Sequence, residues 1–329
     1  MANTLTIATF NVENLFTRFK FKGRRVKNPP GSKKKTRIVP YTPKELAKAV
    51  EKGFIIERKA FKRHVGPSRK LTAAAIKAIK ADVVGLQEVE NLDTLKIFNS
   101  RYLKGTARFR YQYLIDGNDP RFIDVGLLSR LEVDFLRTHQ FRVKSGKRVF
   151  SRDCLEVHIR VGNKTLPIFV NHFKSMMGGR GPTKKRRLDQ SKELLKILKE
   201  RFGNDFGKKD FVVLGDMNDY METGDETSSG IRPLLDSKQV VNVVDRLPAD
   251  QRWTHYYHRE KSYHQLDYIL LSKSLAKKNP TVMPVIERRG QPKRVNRPGQ
   301  PKRVKKFFPE IKGTLKASDH CPVAITLKV

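Results

Sequence analysis

Phe211-Val212-Val213-Leu214-Gly215-Asp216-Met217-Asn218 is a short apolar run that ends in polar residues. Large apolar residues in unbroken succession, too few for a helix, read as a buried strand, with Phe211–Gly215 as its span. Asp216 and Asn218 then fall at the C-terminal end of that strand. Working outward, the same design recurs. Ile7-Ala8-Thr9-Phe10-Asn11, Val84-Gly85-Leu86-Gln87-Glu88 and Phe169-Val170-Asn171-His172 each end an apolar run in polar residues. Ser318-Asp319-His320 stands just before a further run, Pro322–Leu327, and Gln265-Leu266-Asp267-Tyr268-Ile269-Leu270 sets a carboxylate inside one.

Predicted strands therefore cover Thr4–Phe10, Val83–Gln87, Val125–Leu128, Thr165–Asn171, Phe211–Gly215, Leu266–Leu271 and Pro322–Leu327. Two helices are expected. Ser68–Lys80 has a serine start and an alanine-rich face; Thr183–Phe202 spaces Leu188, Leu194, Leu195 and Leu198 helically before Gly203. Strands dominate and helices are interspersed, the pattern of layered sheets with helices outside.

Composition narrows the class. The chain has 329 residues, 38% of them hydrophobic, enough for a sizeable core. Lys and Arg number 69 against 33 Asp and Glu, a formal charge of +36. Such an excess repels itself and favours a polyanionic partner, nucleic acid first and an anionic membrane surface second. The excess is concentrated. Residues 17–70 hold 19 basic and 3 acidic residues, and 277–316 hold 13 and 2. Both read as insertions. The second contains a direct repeat, Gly290-Gln291-Pro292-Lys293-Arg294-Val295 and Gly299-Gln300-Pro301-Lys302-Arg303-Val304, and reads as an extended basic loop. Deleting Gly290–Val304 is then expected to weaken nucleic-acid binding and spare turnover of small substrates.

Two cysteines, Cys154 and Cys321, are too few for a disulfide framework and read as buried thiols. There is no export signal and no apolar stretch of the ~20 residues a spanning helix needs. A cytoplasmic protein, monomeric by default, is the expectation.

A single Asn, Asp or His at a strand end commonly only bonds local backbone. Asp267 is different, because burying an unpaired carboxylate among apolar neighbours is costly. It needs a partner, and His320 is the obvious one.

Taken together, Asn11, Gln87-Glu88, His172, Gly215-Asp216-Met217-Asn218, Leu266-Asp267-Tyr268 and Ser318-Asp319-His320 resemble the endonuclease/exonuclease/phosphatase superfamily, a group that includes deoxyribonuclease I-like enzymes. The motifs appear in the family's order and span nearly the whole chain. The resemblance implies an α/β (α+β) fold: a four-layer sandwich of two mixed β-sheets packed face to face, helices outside, in one domain over 1–329. It implies a metal-dependent phosphoesterase. Glu88 matches the metal-binding glutamate, and Asp319 and Asn11 complete or flank that site. Oxygen ligands favour Mg²⁺ or Mn²⁺. Asp216 and Asn218 match the pair that orients water and phosphate, Asp267 the partner of His320, and His172 a second histidine beside the scissile phosphate.

Arg121, ahead of the Val125–Leu128 strand, is a phosphate contact or a turn residue. Lys174 is a further phosphate contact, placed on the His172 face by strand alternation. His255-Tyr256-Tyr257-His258 and His264 form a histidine-rich stretch that no Cys or Glu completes as a zinc site; a loop or strand lining the cleft, with aromatics for stacking, is the expectation. A nuclease acting on DNA, with RNA possible, leads on the basic insertions. A phosphatase or phosphodiesterase for a small or lipid phosphoester is the alternative, and a non-catalytic basic binding protein a third.

Overall fold

The computed structural model describes residues 4–17, 19–21, 24–32, 36–39, 42, 44, 61–63, 68–221, 229–297 and 304–329. They fall into two compact units, Met1–Leu15 with Pro67–Val329, and Phe16–Gly66. Within the smaller, Phe19–Phe21 pairs antiparallel with Phe61–Arg63, and Arg24–Lys27 with Thr36–Val39. Most of the first basic insertion lies outside the described residues.

The larger unit is built on two six-stranded sheets. Their strands, numbered along the chain, are β1 (Thr4–Leu15), β2 (Val83–Val89), β3 (Tyr111–Leu114), β4 (Asp124–Ser129), β5 (Val133–Arg137) and β6 (Cys154–Val161), followed by β7 (Lys164–His172), β8 (Val212–Asp216), β9 (Val240–Asn242), β10 (Asp267–Ser272), β11 (Val285–Ile286) and β12 (Val323–Lys328). One sheet has the order β11-β12-β1-β2-β4-β3 and the other β9-β10-β8-β7-β6-β5. In each, a single pair is parallel, β1 with β2 and β7 with β8.

Alternation along the strands builds the layers. Ile7, Val83, Leu127, Ile168, Leu214 and Ile269 point between the sheets and form one fully buried core. Ala8, Phe10, Val84 and Leu86, on the other face, pack against α1 (Arg69–Ala78) and α2 (Leu92–Tyr102) through Leu71, Ile76, Leu95 and Phe98. Phe169, Phe211 and Val213 likewise meet Leu194, Ile197 and Leu198 of α3 (Arg180–Phe202). Each such side chain contributes roughly 1.5–3 kcal/mol by leaving water. Helix, sheet, sheet and helix are the four layers the resemblance implies. Gly85 marks how closely the sheets approach, because a Cβ there would lie 2.4 Å from Leu214 Cδ1.

All seven expected strands are present, with ends displaced by a few residues. α3 begins three residues before the expected Thr183, at Arg180, and stops at Gly203 as expected. The extended basic loop is corrected. Where residues 277–316 are described, the chain packs: Val295 and Ile311 are buried, and the first repeat closes a 3₁₀ turn at Lys293–Val295. Apolar residues between the charges anchor it. Of the second repeat only Val304 is described, and it is buried. Cys154 and Cys321 are buried free thiols, as expected. Among the described residues no helix is long and apolar enough to cross a membrane.

Candidate active site

The polar strand ends meet along one edge. β1 and β2 end there together, as do β7 and β8. β10 and β12 run antiparallel to their neighbours, so their beginnings arrive at the same edge. Hence residues read as strand ends and residues read as strand starts converge, and Asp267 is the first residue of its strand rather than an interior one.

In the second sheet, His172, Asp216 and Asp267 stand side by side on β7, β8 and β10. Gly215 makes this row possible. Its φ is +142°, and a Cβ would sit 2.0 Å from the Asn171 carbonyl oxygen. Asp216 Oδ2 accepts from Asn11 Nδ2 at 3.0 Å and Asn218 Nδ2 at 2.9 Å, while Oδ1 accepts the Asn218 N–H at 2.8 Å. His320 Nδ1 is 2.8 Å from Asp267 Oδ2, and its Nε2 is 3.8 Å from Asp216 Oδ2. His172 Nε2 lies 3.6 Å from the same oxygen. The Thr254 hydroxyl oxygen accepts the N–H groups of Leu266 and Asp267, fixing the Asp267 backbone.

Charge follows from these contacts. Burial resists a charge on His320, but Asp267 and Asp216 outweigh it and hold the imidazole protonated. Burial drives His172 the other way, reinforced by Arg152 and His320, so it is neutral. Burial lifts the Asp216 carboxyl to about 7, against the pull of His320.

A second group of carboxylates adjoins this row. Glu88 Oε1 accepts from Asn11 Nδ2 at 3.4 Å, and its Oε2 accepts the Asn14 N–H at 3.0 Å. Burial, then the negative charge of Asp319, raises the Glu88 carboxyl. Glu13 Oε2 accepts the Asp319 N–H at 2.7 Å, and Oε1 pairs with Lys316 Nζ at 2.6 Å. Burial and Asp319 lift Glu13 to about 7 despite that lysine. Glu13, Asn14, Glu88 and Asn218 all have φ between 47° and 65°, a strained region for residues with a Cβ. Glu13 and Asn14 lie in the stretch between Asn11 and Leu15 where the β1–β2 register shifts.

Glu88 and Asp319 thus offer hard oxygen donors whose mutual repulsion a divalent cation relieves, so the residues fit such an ion. Asn11 bridges Glu88 and Asp216 through its amide nitrogen, and its carbonyl accepts the Glu13 N–H at 3.0 Å. Donor atoms of His255, Asp319 and His320 also lie within 4.8 Å of one another, as do those of Asp216, Asp267 and His320. Asp267 and Asp216 favour His320 as an imidazolium, whose Nε2 carries a proton and offers no lone pair to a cation.

Cations flank the row. Arg121 forks onto Asp119, with Nε to Oδ1 and Nη2 to Oδ2 both at 3.0 Å, and is about half exposed. Arg152, which the sequence reading missed, is fully buried. Its Nε is 2.9 Å from Asp119 Oδ2, and its Nη1 donates to the Phe173 carbonyl at 3.1 Å. Its charge is felt by Glu88, Asp216 and His172. A charged Ser151-Arg152-Asp153 ahead of β6 was the available signal. The alternation argument for Lys174 fails because β7 stops at His172; Lys174 lies in the following turn, where Nζ donates to the Ser175 carbonyl at 3.1 Å. It remains near enough to help keep His172 neutral.

Two further segments hold the site from outside. Of the loop or strand expected for the histidine-rich stretch, the structure has strand: His255–Tyr257 pairs antiparallel with Ser262–His264. His255, weighed in the sequence only as a zinc ligand, has its ring centre 4.6 Å from that of His320, and burial takes its imidazole down to about 3. Gln291 Nε2 donates to the Ser318 and His320 carbonyls at 3.1 and 2.9 Å. The repeat thought dispensable for small substrates therefore braces Ser318-Asp319-His320, and its deletion is now expected to damage the site.

A family model described as Endonuclease/Exonuclease/phosphatase family matches residues 62–328. The chain belongs to that family. Its members are phosphoester hydrolases, and this chain is such an enzyme. Several solved structures share the fold. Truncated TDP2 of Caenorhabditis elegans is 12% identical with a TM-score of 0.56, over 99% of this chain and 98% of that one. An endonuclease/exonuclease/phosphatase family protein of Bacteroides thetaiotaomicron is 13% identical, TM-score 0.57, over 99% and 98%. The human Nocturnin catalytic domain with a bound sulfate anion is 14% identical, TM-score 0.56, over 99% and 94%. No curated protein sequence matches.

Proposed function

We propose that the larger unit is a single catalytic domain, with Phe16–Gly66 inserted, that hydrolyses phosphodiester bonds of nucleic acid with a divalent metal. The observation that carries this is the placing of His320, held by Asp267, with its Nε2 3.8 Å from a buried Asp216 that Asn11 and Asn218 hold. An acid and a base a few ångströms apart suit in-line attack of water on a phosphate.

In this reading Asp216, with a carboxyl near neutrality, takes the proton of the attacking water, and Asn218 orients it. His320 donates a hydrogen bond to a phosphate oxygen as charge builds in the transition state, and the P–O bond opposite the attacking water breaks, its ester oxygen leaving as an alcohol protonated from solvent. His172, neutral, hydrogen-bonds the phosphate from the other side. Arg121, Arg152 and Lys174 offset the developing negative charge. Glu88 and Asp319, with Asn11 beside them, would hold Mg²⁺ or Mn²⁺, which when bound polarises a phosphate oxygen. TDP2 of D. rerio has been solved with a single-strand DNA product at 14% identity, and the +36 charge of this chain favours the same kind of substrate.

The test is a panel with Mg²⁺: supercoiled plasmid, single-stranded DNA, RNA, an abasic duplex, bis(p-nitrophenyl) phosphate and p-nitrophenyl phosphate. Cleavage of a polynucleotide is expected. Turnover confined to the monoester would replace this reading with that of a small-molecule phosphatase.

A further inference from the structure

Beside the site runs a groove of about 840 Å³. One wall is the hairpin of Val143–Lys144 and Lys147–Arg148; the other is the beginning of α3. Its lining also includes Asn118 and Pro120, on either side of Asp119, and Ser151, next to Arg152. The groove therefore opens where the two site arginines are anchored. Lys144, Lys147, Arg148, Lys185 and Arg186 line it against a single carboxylate, Asp189. Asp189 pairs with Lys144 at 2.6 Å and Lys185 at 3.9 Å, so most of the positive charge is uncompensated.

Two of these cations, Lys185 and Arg186, lie in the second turn of α3, and its first turn holds no acidic residue to offset them. Ser151 is among the lining residues, and its buried hydroxyl has no hydrogen-bond partner among the described residues. Two exposed aromatic residues lie outside the lining but adjoin it, Phe141 against Arg148 and Phe122 two residues after Pro120. Phe141 is 62% exposed and stacks under the Arg148 guanidinium at 4.7 Å. Phe122, next to Arg121, is 57% exposed with a φ of +53°.

We infer that this groove holds the strand flanking the cut, and that the strand is a single-stranded polynucleotide. Repeated phosphates account for the row of cations. Bases that are unstacked account for the exposed rings, because a duplex keeps its π-faces covered. The inference deepens the proposed phosphodiesterase reading and rests on it for the position of the cut. Binding can be measured without catalysis, so the two can fail separately.

The experiment is fluorescence anisotropy in chelator, with labelled single-stranded DNA, RNA and duplex of about 12 nucleotides, over a range of salt. The variants are Lys147→Gln/Lys185→Gln/Arg186→Gln and Phe141→Ala. The triple variant is expected to bind the single strand about tenfold more weakly at physiological salt. Its log–log salt slope should fall by about 2, since each single-strand phosphate contact contributes about 0.7. Phe141→Ala should lose about tenfold through stacking. With metal restored, kcat/KM of the triple variant for the oligonucleotide should fall at least about tenfold relative to that for bis(p-nitrophenyl) phosphate. The tighter of DNA and RNA identifies the sugar. Wild-type affinity and slope in the triple variant, or tighter binding of duplex than of single strand, would overturn the inference. Single-strand binding of the expected kind without hydrolysis of any diester would uphold the groove and overturn the enzyme reading.

Discussion

Asp267 and His320 are the residues whose chemistry is most constrained. A buried carboxylate in an apolar strand needs a partner, and that necessity made the pair legible before any geometry. The 2.8 Å contact supplies the partner. Replacing Asp267 with Asn keeps the shape and a hydrogen bond but removes the charge that keeps His320 protonated. The expected result is a fall in kcat of about 10²- to 10⁴-fold with KM little changed. Steady-state kinetics on bis(p-nitrophenyl) phosphate would show it; an equal loss through KM alone would contradict the assigned role. Arg152 and Glu13 were not legible in the same way. Arg152 acts through Asp119, far off in sequence, and Glu13 through a register shift that no periodicity announces.

The elements carry two lessons. Runs such as Phe211–Gly215 and Val83–Gln87 announced strands because they are dense and bounded by polar residues. Residues 277–316 misled because Lys, Arg, Pro and Gly dominate locally, while the few residues that pack, Val295 and Ile311, are scattered among them. Gln291, in that segment, donates to two carbonyls of the catalytic turn. Gln291→Ala should lower stability by about 1–3 kcal/mol and also reduce kcat. Urea denaturation and kinetics together test this, and a variant with native stability and full kcat would detach the repeat from the site. Gly215→Ala should be more severe, because the new Cβ overlaps the Asn171 carbonyl and the φ of +142° suits only glycine. A loss of about 3 kcal/mol or more is expected, with Asp216 displaced. An unchanged melting temperature would refute the close approach.

At the scale of the whole molecule, most of the excess charge falls in residues 17–70 and 277–316 of the sequence, and the two-sheet frame has demanding buried charges of its own. Glu156 on β6 is one, wholly buried and contacted by His139 at 3.0 Å, His158 at 2.7 Å and Arg201 at 2.8 Å. Although burial raises its carboxyl, these three partners outweigh that and bring it down to about 2. A carboxyl lowered on folding stabilises the fold above its unfolded value of 4.5 and loses that contribution as pH falls toward 2. Glu156→Gln should therefore cost about 3 kcal/mol at neutral pH, and much less near the acid end of that window. Denaturation across this range checks the sign, since a penalty that grows toward acid would contradict it. No sequence pattern marks this cluster, because its members come from β6, α3 and a loop.

The measurement that bears most directly on the phosphodiesterase reading is hydrolysis of bis(p-nitrophenyl) phosphate as Mg²⁺ or Mn²⁺ is titrated into metal-free protein, wild type beside Glu88→Gln and His320→Ala. Saturable activation is expected in the wild type, with abolition by chelator. Glu88→Gln should need at least about tenfold more metal, as the loss of a charged ligand requires. His320→Ala should bind metal normally and turn over at least about 10²-fold more slowly. Turnover that survives both chelator and His320→Ala would contradict the account.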